Sequence, residues 1–284
     1  MKELKENPIF LRLIDQAIDE DLGEKGDITS KAVISSSTAC KATITTKSAG
    51  VVAGIEISEA IFQRIDSNLE FSAHLLDGDM VGVGESIADI EGSMLSILAG
   101  ERTSLNFLSY LSGIATITKK FVREIKGTKA KIFDTRKTHP GLRVFEKYAV
   151  RVGGGSNHRS GLFDQVLIKD NHLMAVDSLK IAIESGKNLS VIEIEVEDLS
   201  QLREALDANP DIIMLDNMDI EMIEEAVGMV GGRVLLEVSG GVSLENVRKL
   251  ALSGVDRIAV GSITMAAMPL DIALDVVEVR EYGR

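Results

Sequence analysis

The chain has 284 residues, enough for one large or two ordinary domains, and its 45% hydrophobic and 26% charged content is that of a globular protein. Its 31 Lys+Arg against 44 Asp+Glu give a formal net charge of −13, and only 4% of residues are aromatic. This argues against nucleic acid, which needs a basic face and stacking rings. The single cysteine, Cys40, excludes an internal disulfide and fits a reducing, cytoplasmic setting. With no 18-residue apolar run and no apolar core in MKELKENPIF, a membrane-spanning or secreted protein is not expected.

In chain order, Phe10, Leu11, Leu13, Ile14, Ala17 and Ile18 fall at helical spacing and predict a helix over 8–20. Residues 40–56 alternate and are rich in Thr, Ile and Val, as strands are. Residues 77–81 and 83–88 read as short strands joined by glycine turns, a pattern similar to the hairpins of biotinyl and lipoyl carrier folds, though no modifiable lysine sits at a tip. The apolar helical pattern from Met94 to about Lys126 is long enough to suggest two helices. A helix over 141–152 follows, ending in Gly153-Gly154-Gly155.

From residue 132 the rhythm changes. Apolar runs begin at Ile132, Val166, Ile192, Ile212, Val234 and Ile258, with helical patterns such as 199–208 and 220–230 between them. Alternating β and α units predict a parallel sheet, open or closed, and the glycine turns after the last two runs favour a barrel. Binding groups then collect at the C-terminal strand ends. Those ends carry Thr135, Arg136, Lys137, Lys169, Glu195, Asp216, Ser239-Gly240-Gly241 and Gly261-Ser262.

Charge supports a site there. Between Lys131 and His172 eight Lys/Arg stand against four Asp/Glu, a cationic island in an acidic chain. Such an island suits a small, highly charged anion. Arg136, Lys137, His158, Arg159 and Lys169 could converge on carboxylates or phosphates, arginine through its planar fork and lysine as a mobile charge. The plainer reading, surface ion pairs, is weakened by the strand-end positions. Gly153–Gly155, followed by Asn157-His158-Arg159, could bring backbone N–H groups to an anion or simply connect elements. Glu195 and Asp216 could hold Mg²⁺ or balance the cations. Ser239-Gly240-Gly241 and Gly261-Ser262 could bind a phosphate or be ordinary turns.

Several segments together resemble the quinolinate phosphoribosyltransferase family. They are Glu101–Asn106, Ser112–Thr116, Asp134–Thr138 with Pro140–Arg143, Glu146–Arg151, Gly153–Arg159, Leu167–His172, Leu215–Met218 and Ser239–Gly241. Near the N-terminus, Glu20–Gly23 and Gly26–Ser30 also match. The resemblance implies an N-terminal α/β sandwich domain over 1–110, with which the tail 275–284 could pack. It implies an incomplete TIM-like α/β barrel over 111–274. It implies transfer of a phosphoribosyl group from 5-phosphoribosyl 1-pyrophosphate to quinolinate with decarboxylation, giving nicotinate mononucleotide, pyrophosphate and CO₂. By the same likeness, Arg136, Lys137, His158, Arg159 and Lys169 bind the quinolinate carboxylates and pyrophosphate, with Thr135 beside them. Glu195 and Asp216 face the ribose and its Mg²⁺, directly or through water. Ser239, Gly240, Gly241, Gly261 and Ser262 hold the 5-phosphate. Lys137, Lys169, Glu195 and Asp216 carry the catalytic role. Arg102 enters the site of a neighbouring subunit, so a homodimer, or a higher oligomer built on it, is expected. His139 and Val152 depart from the family pattern, where a small hydroxyl residue and a cysteine are usual. A related group linked to molybdate uptake shares the fold, but the full Asn157-His158-Arg159 with Lys169 favours the quinolinate enzyme. A silent binding protein for phosphorylated metabolites would differ by lacking turnover.

Overall fold

The computed structural model describes residues 8–281. In chain order its elements are α1 (Pro8–Leu22), α2 (Ile28–Val33), β1 (Thr38–Thr46), β2 (Gly50–Val51), α3 (Ile55–Ile65), β3 (Glu70–Ala73), β4 (Met80–Val81), β5 (Ser86–Ser93) and α4 (Met94–Glu124). There follow β6 (Lys131–Phe133), α5 (Arg143–Val152), β7 (Val166–Ile168), α6 (Asp170–Leu173), α7 (Leu179–Gly186), β8 (Ile192–Val196) and α8 (Leu199–Ala208). The last are β9 (Ile212–Asp216), α9 (Ile220–Val230), β10 (Leu235–Ser239), α10 (Val247–Leu252), β11 (Arg257–Ala259), α11 (Ser262–Met265) and β12 (Ile272–Glu281). Among the described residues no helix is long and apolar enough to cross a membrane.

The chain forms two units. One comprises residues up to 117 together with 140–153 and the stretch from 267, the other 118–139 and 154–266. Beyond the 1–110 segment and the tail expected to pack with it, the chain returns to the first unit with α5.

The first unit is built on a four-stranded sheet in the order β12-β1-β5-β3, with every pairing antiparallel. β12 runs the full length of β1, from Glu281 opposite Thr38 to Ile272 opposite Thr46. Cys40, Ala42 and Ile44 of β1 pack with Ile87 and Ile90 of β5, Phe62 of α3 and Leu105 and Leu108 of α4. Residues 77–88 do not form a carrier-type hairpin. β4 pairs with β2, while β5 joins β1 and β3. Gly84, with φ +78°, turns the chain, and its amide donates to the Thr46 carbonyl (2.7 Å), delivering it to β1. The predicted strand over 40–56 also ends early. Asp77 accepts from the amides of Gly54 and Ile55 (2.9 Å each) and starts α3 there.

α4 is one helix of 31 residues, not two. It contains no proline, and its glycines serve close approach. A Cβ on Gly100 would come within 2.8 Å of the Phe62 ring, and one on Gly113 within 2.2 Å of the Met268 carbonyl oxygen.

The second unit holds six parallel strands in the order β6-β11-β10-β9-β8-β7. β8 shows how they are used. Ile192, Ile194 and Val196 occupy one face, and Glu193 and Glu195 the other. Glu193 on β8 and Glu237 on β10 are two strands apart, yet both carboxylates reach His158. In a flat sheet strands so related lie about 10 Å apart. The sheet therefore curls, and alternate strands contribute one interior layer, as in a barrel. β6 and β7 do not pair, so the barrel is incomplete.

Gly113→Ala should destabilise the fold by about 1–3 kcal/mol through overpacking against rigid backbone. Gly228→Ala, exposed on α9 with open space at its Cβ, should stabilise by about 0.5–1 kcal/mol. Urea midpoints of the two variants check both signs.

Candidate active site

A cavity of about 830 Å³ opens in the second unit, at the C-terminal ends of its strands. Each strand end delivers part of the lining. Thr135, Arg136 and Lys137 follow β6, and Leu167 and Lys169 come from β7 and its end. Glu195 comes from β8, Met214 and Asp216 from β9, Ser239–Val242 from β10 and Ala259, Gly261 and Ser262 from β11 and its end. His158 and Arg159 complete the cationic side.

The local turns are specified residue by residue. The Lys137 amide donates to Thr135 Oγ1 (3.0 Å), and the Lys137 carbonyl accepts from Thr264 Oγ1 (2.7 Å). Gly240 has φ +96°, and a Cβ there would fall 2.1 Å from Asn217 Oδ1, so only glycine fits. Gly241 is also left-handed, at φ +57°. Lys169 Nζ contacts Glu195 Oε2 directly. Asp216 Oδ2 accepts from Asn217 Nδ2 (2.7 Å).

Arg136 and Arg159 form the most cationic part. Burial and then the neighbouring Arg136 lower the Arg159 guanidinium pKa, while Glu193 and Asp164 oppose them. The Nε atoms of both arginines are buried without a hydrogen-bond partner.

Below them lies a layer of buried charge. Asp134 accepts from the His158 amide (2.7 Å) and from Asn157 Nδ2 (2.6 Å). His158 Nδ1 accepts from the Arg159 amide (2.8 Å), which leaves the ring proton on Nε2, 2.8 Å from Glu193 Oε2. Glu237 Oε2 pairs with Arg257 Nε (2.5 Å), and the Arg257 guanidinium covers the Phe133 ring at 3.9 Å. Burial raises the Glu237 pKa well above the ordinary 4.5; Glu193 and Asp134 add to this, and Arg257 only partly opposes it. Among the described residues, His158, Glu193 and Glu237 are the one group of three whose ligand atoms lie within metal-binding range. Arg257 and the Gln165 amide already occupy this layer as its cation and donor.

The cationic island is therefore divided. Arg136, Lys137, Arg159 and Lys169 line the cavity; Lys131, Arg143, Lys147 and Arg151 do not. Arg143, Lys147 and Arg151 ride on α5 in the first unit, where Lys147 is buried and Arg151 lies 5.9 Å from the Tyr148 ring centroid. His139 is outside the lining too. Gly153–Gly155 are outside it as well, and they act as a connector: Gly154, at φ +90°, helps bring Ser156 beside Phe133. His158 lines the cavity, with Nδ1 accepting from the Arg159 amide and Nε2 2.8 Å from Glu193 Oε2. Arg102 lies on α4 in the first unit, its side chain 64% exposed, outside the lining.

Sequence reading missed Asp134, Gln165, Glu193, Glu237 and Arg257. A signal was available for two of them: Glu193 and Glu237 each interrupt an apolar parallel strand, where charge is unexpected.

Fold and site together define an α/β-barrel enzyme that handles a multiply charged anion at its C-terminal strand ends. The profile for the quinolinate phosphoribosyl transferase C-terminal domain matches residues 114–275, and that for its N-terminal domain matches residues 27–112. A probable nicotinate-nucleotide pyrophosphorylase (carboxylating) of Bacillus subtilis is 41% identical over 269 residues, covering 93% of this chain and 92% of its own. Quinolinate phosphoribosyltransferase (decarboxylating) 1b of Nicotiana tabacum is 38% identical, covering 93% and 81%. The crystal structure of nicotinate-nucleotide pyrophosphorylase from Ehrlichia chaffeensis superposes with a TM-score of 0.90 at 44% identity, covering 94% and 98%. The chain belongs to the quinolinate phosphoribosyltransferase family.

The raised Glu237 pKa gives a signed prediction. Above the unfolded value, near 4.5, the unfolded chain releases this proton and the folded chain keeps it. Stability attributable to Glu237 therefore falls as pH rises from there to the folded pKa, by up to about 1.4 kcal/mol per pH unit. Glu237→Gln should flatten that fall and match or exceed the wild-type melting temperature at pH 7. Melting curves from pH 5 to 8 test it, and identical slopes would refute it.

Proposed function

We propose that the chain joins quinolinate to the ribosyl carbon of 5-phosphoribosyl 1-pyrophosphate and releases pyrophosphate and CO₂, yielding nicotinate mononucleotide for NAD biosynthesis. The observation that carries this reading is the pair of arginines Arg136 and Arg159, whose buried Nε donors lack hydrogen-bond partners within a lining that also holds Lys137 and Lys169. A dianionic pyridine supplies the acceptors such a pocket lacks.

Both substrates are polyanions and repel each other. Arg136 and Arg159 offset the charge of the quinolinate carboxylates and orient the ring nitrogen toward the anomeric carbon. Lys137 and Lys169 neutralise charge as pyrophosphate departs. The Gly240-Gly241 turn, with Ser239, Gly261 and Ser262, offers donors to the 5-phosphate. Alkylation of the ring nitrogen creates a pyridinium, whose positive nitrogen stabilises the carbanion left when the adjacent carboxylate leaves as CO₂; that carbon then takes up a proton to give nicotinate mononucleotide. Bond formation thus asks for no strong general base.

Mg²⁺ suits the donor set at Glu195 and Asp216. Each carboxylate has one oxygen engaged by Lys169 or Asn217, which favours contact through water and substrate oxygens. When bound, the ion would stabilise charge on the leaving pyrophosphate.

We also assign Arg102 to the site of a second subunit in a homodimer. Its 64% exposed side chain and absence from the lining of its own barrel agree with this. A cytoplasmic location accords with a single, buried, unpaired cysteine.

Incubation with quinolinate, 5-phosphoribosyl 1-pyrophosphate and Mg²⁺ should release CO₂ and nicotinate mononucleotide in equal amounts. Binding without turnover would instead indicate a silent binding protein. Arg136→Ala should lower kcat/KM for quinolinate roughly 100-fold or more, as expected when a buried charge-assisted contact is lost. Arg102→Ala should be inactive alone but regain activity when mixed and reassembled with Lys169→Ala protomers. No recovery would refute the shared site.

A further inference from the structure

Glu193 is fully buried on β8, two residues before Glu195 and on the same face of the strand. It is outside the cavity lining and meets that lining through His158. Burying a carboxylate is costly unless close partners compensate it. Here a single oxygen, Oε2, is approached from two sides. His158 Nε2 lies 2.8 Å away, and Gln165 Nε2 donates to it at 2.8 Å.

Both partners lead to the same residue. His158 Nδ1 accepts from the Arg159 backbone amide at 2.8 Å. The Gln165 carbonyl accepts from Arg159 Nη1 at 3.2 Å. One carboxylate therefore fixes Arg159 at two points, the main chain through an imidazole and the guanidinium through a peptide carbonyl. These anchors bracket the side chain along its length.

We propose that Glu193 is a positioning residue for Arg159, acting through His158 and Gln165. The inference rests on the reading of Arg159 as a quinolinate ligand. The negative charge of Glu193 also opposes the burial and the neighbouring Arg136 that disfavour the charged guanidinium of Arg159. Without Glu193, both anchors of Arg159 would lose the group that holds them, and its charge would lose one of two compensating carboxylates. Arg136, which follows β6, has no contact with Glu193 among those described and would keep its place.

The consequence is selective. Only the subsite that contains Arg159 should weaken, while the turns at Gly240-Gly241 and Gly261, on other strands, are untouched. Loss of a residue that orients a ligand-binding group usually costs 10- to 100-fold.

The experiment is steady-state kinetics on the full-length protein with both substrates and Mg²⁺. Glu193→Ala should raise KM for quinolinate about 10- to 100-fold and leave KM for 5-phosphoribosyl 1-pyrophosphate within about twofold. Glu193→Gln keeps a carbonyl oxygen that can accept from Gln165 and should recover part of the loss. An unchanged quinolinate KM in Glu193→Ala, or an equal rise in both KM values, would overturn the proposal. If Glu193→Ala does not fold, Gln165→Ala decides. It keeps the carbonyl that meets Arg159 but removes the side-chain link to Glu193, and should raise the quinolinate KM alone; wild-type values would overturn the proposal. Wild-type turnover is measured alongside. A silent wild type refutes the proposed reaction, whereas an active wild type with unselective variants refutes only the role of Glu193.

Discussion

Asp134, Glu193 and Glu237 meet inside the barrel with no exposed surface, and the site above them depends on how their charge is compensated. Uncompensated, each ionised carboxylate would cost several kcal/mol in such a setting. Asp134 spends its oxygens on the His158 amide and the Asn157 side chain, fixing the loop that carries Arg159. Glu193 draws in His158 and Gln165. Glu237 has Arg257, itself laid over Phe133, but its burial, and then the nearby Glu193 and Asp134, raise its pKa. Compensation and positioning are the same contacts. A layer that merely held the barrel together would be apolar, as barrel interiors usually are.

That anionic layer also makes the cationic layer above it tolerable. Two unit charges about 6 Å apart repel by about 3 kcal/mol at an effective dielectric of 20. Held side by side without support, Arg136 and Arg159 would swing apart into solvent. Glu193 and Asp164 oppose the effect on Arg159, so the guanidinium remains charged although it is buried. Contacts among the protein's own groups thus hold the pocket, and a dianion placed in it would complete an alternation of sign from the barrel core outward. Preorganisation of this kind spares the ligand the cost of ordering the site.

Much of this was legible in the sequence. The six apolar runs from Ile132 to Ile258 became the six parallel strands, because parallel strands buried on both faces leave continuous apolar signatures. Their polar termini line the cavity, since a parallel sheet gathers its C-terminal ends on one side. The less legible parts involve partners distant in sequence. Lys147 and Arg151 share a cationic run with Arg159, yet α5 returns to the first unit and takes them with it. No local pattern announces that return. The hairpin reading of 77–88 failed for a related reason: β5 is claimed by β1, whose buried Cys40, Ala42 and Ile44 need its apolar face. The continuity of α4 through Gly100 and Gly113 depends on what lies against each glycine, which spacing does not encode.

His158 shows most plainly why residue type and position underdetermine role. It adjoins Arg159, belongs to the cationic island and lines the cavity, all of which suggest a ligand to the substrate. The geometry adds a second role. Nδ1 accepts from the next residue's amide, and Nε2 lies 2.8 Å from a buried carboxylate. The imidazole then works as a rigid strut, short enough to transmit the position of Glu193 to the Arg159 main chain and planar enough to do so without slack. The same logic extends to Gln165, whose amide and carbonyl face opposite ways along one residue. On the proposed reading, specificity for a dianion depends on the two arginines that would touch it and, equally, on a buried glutamate that does not.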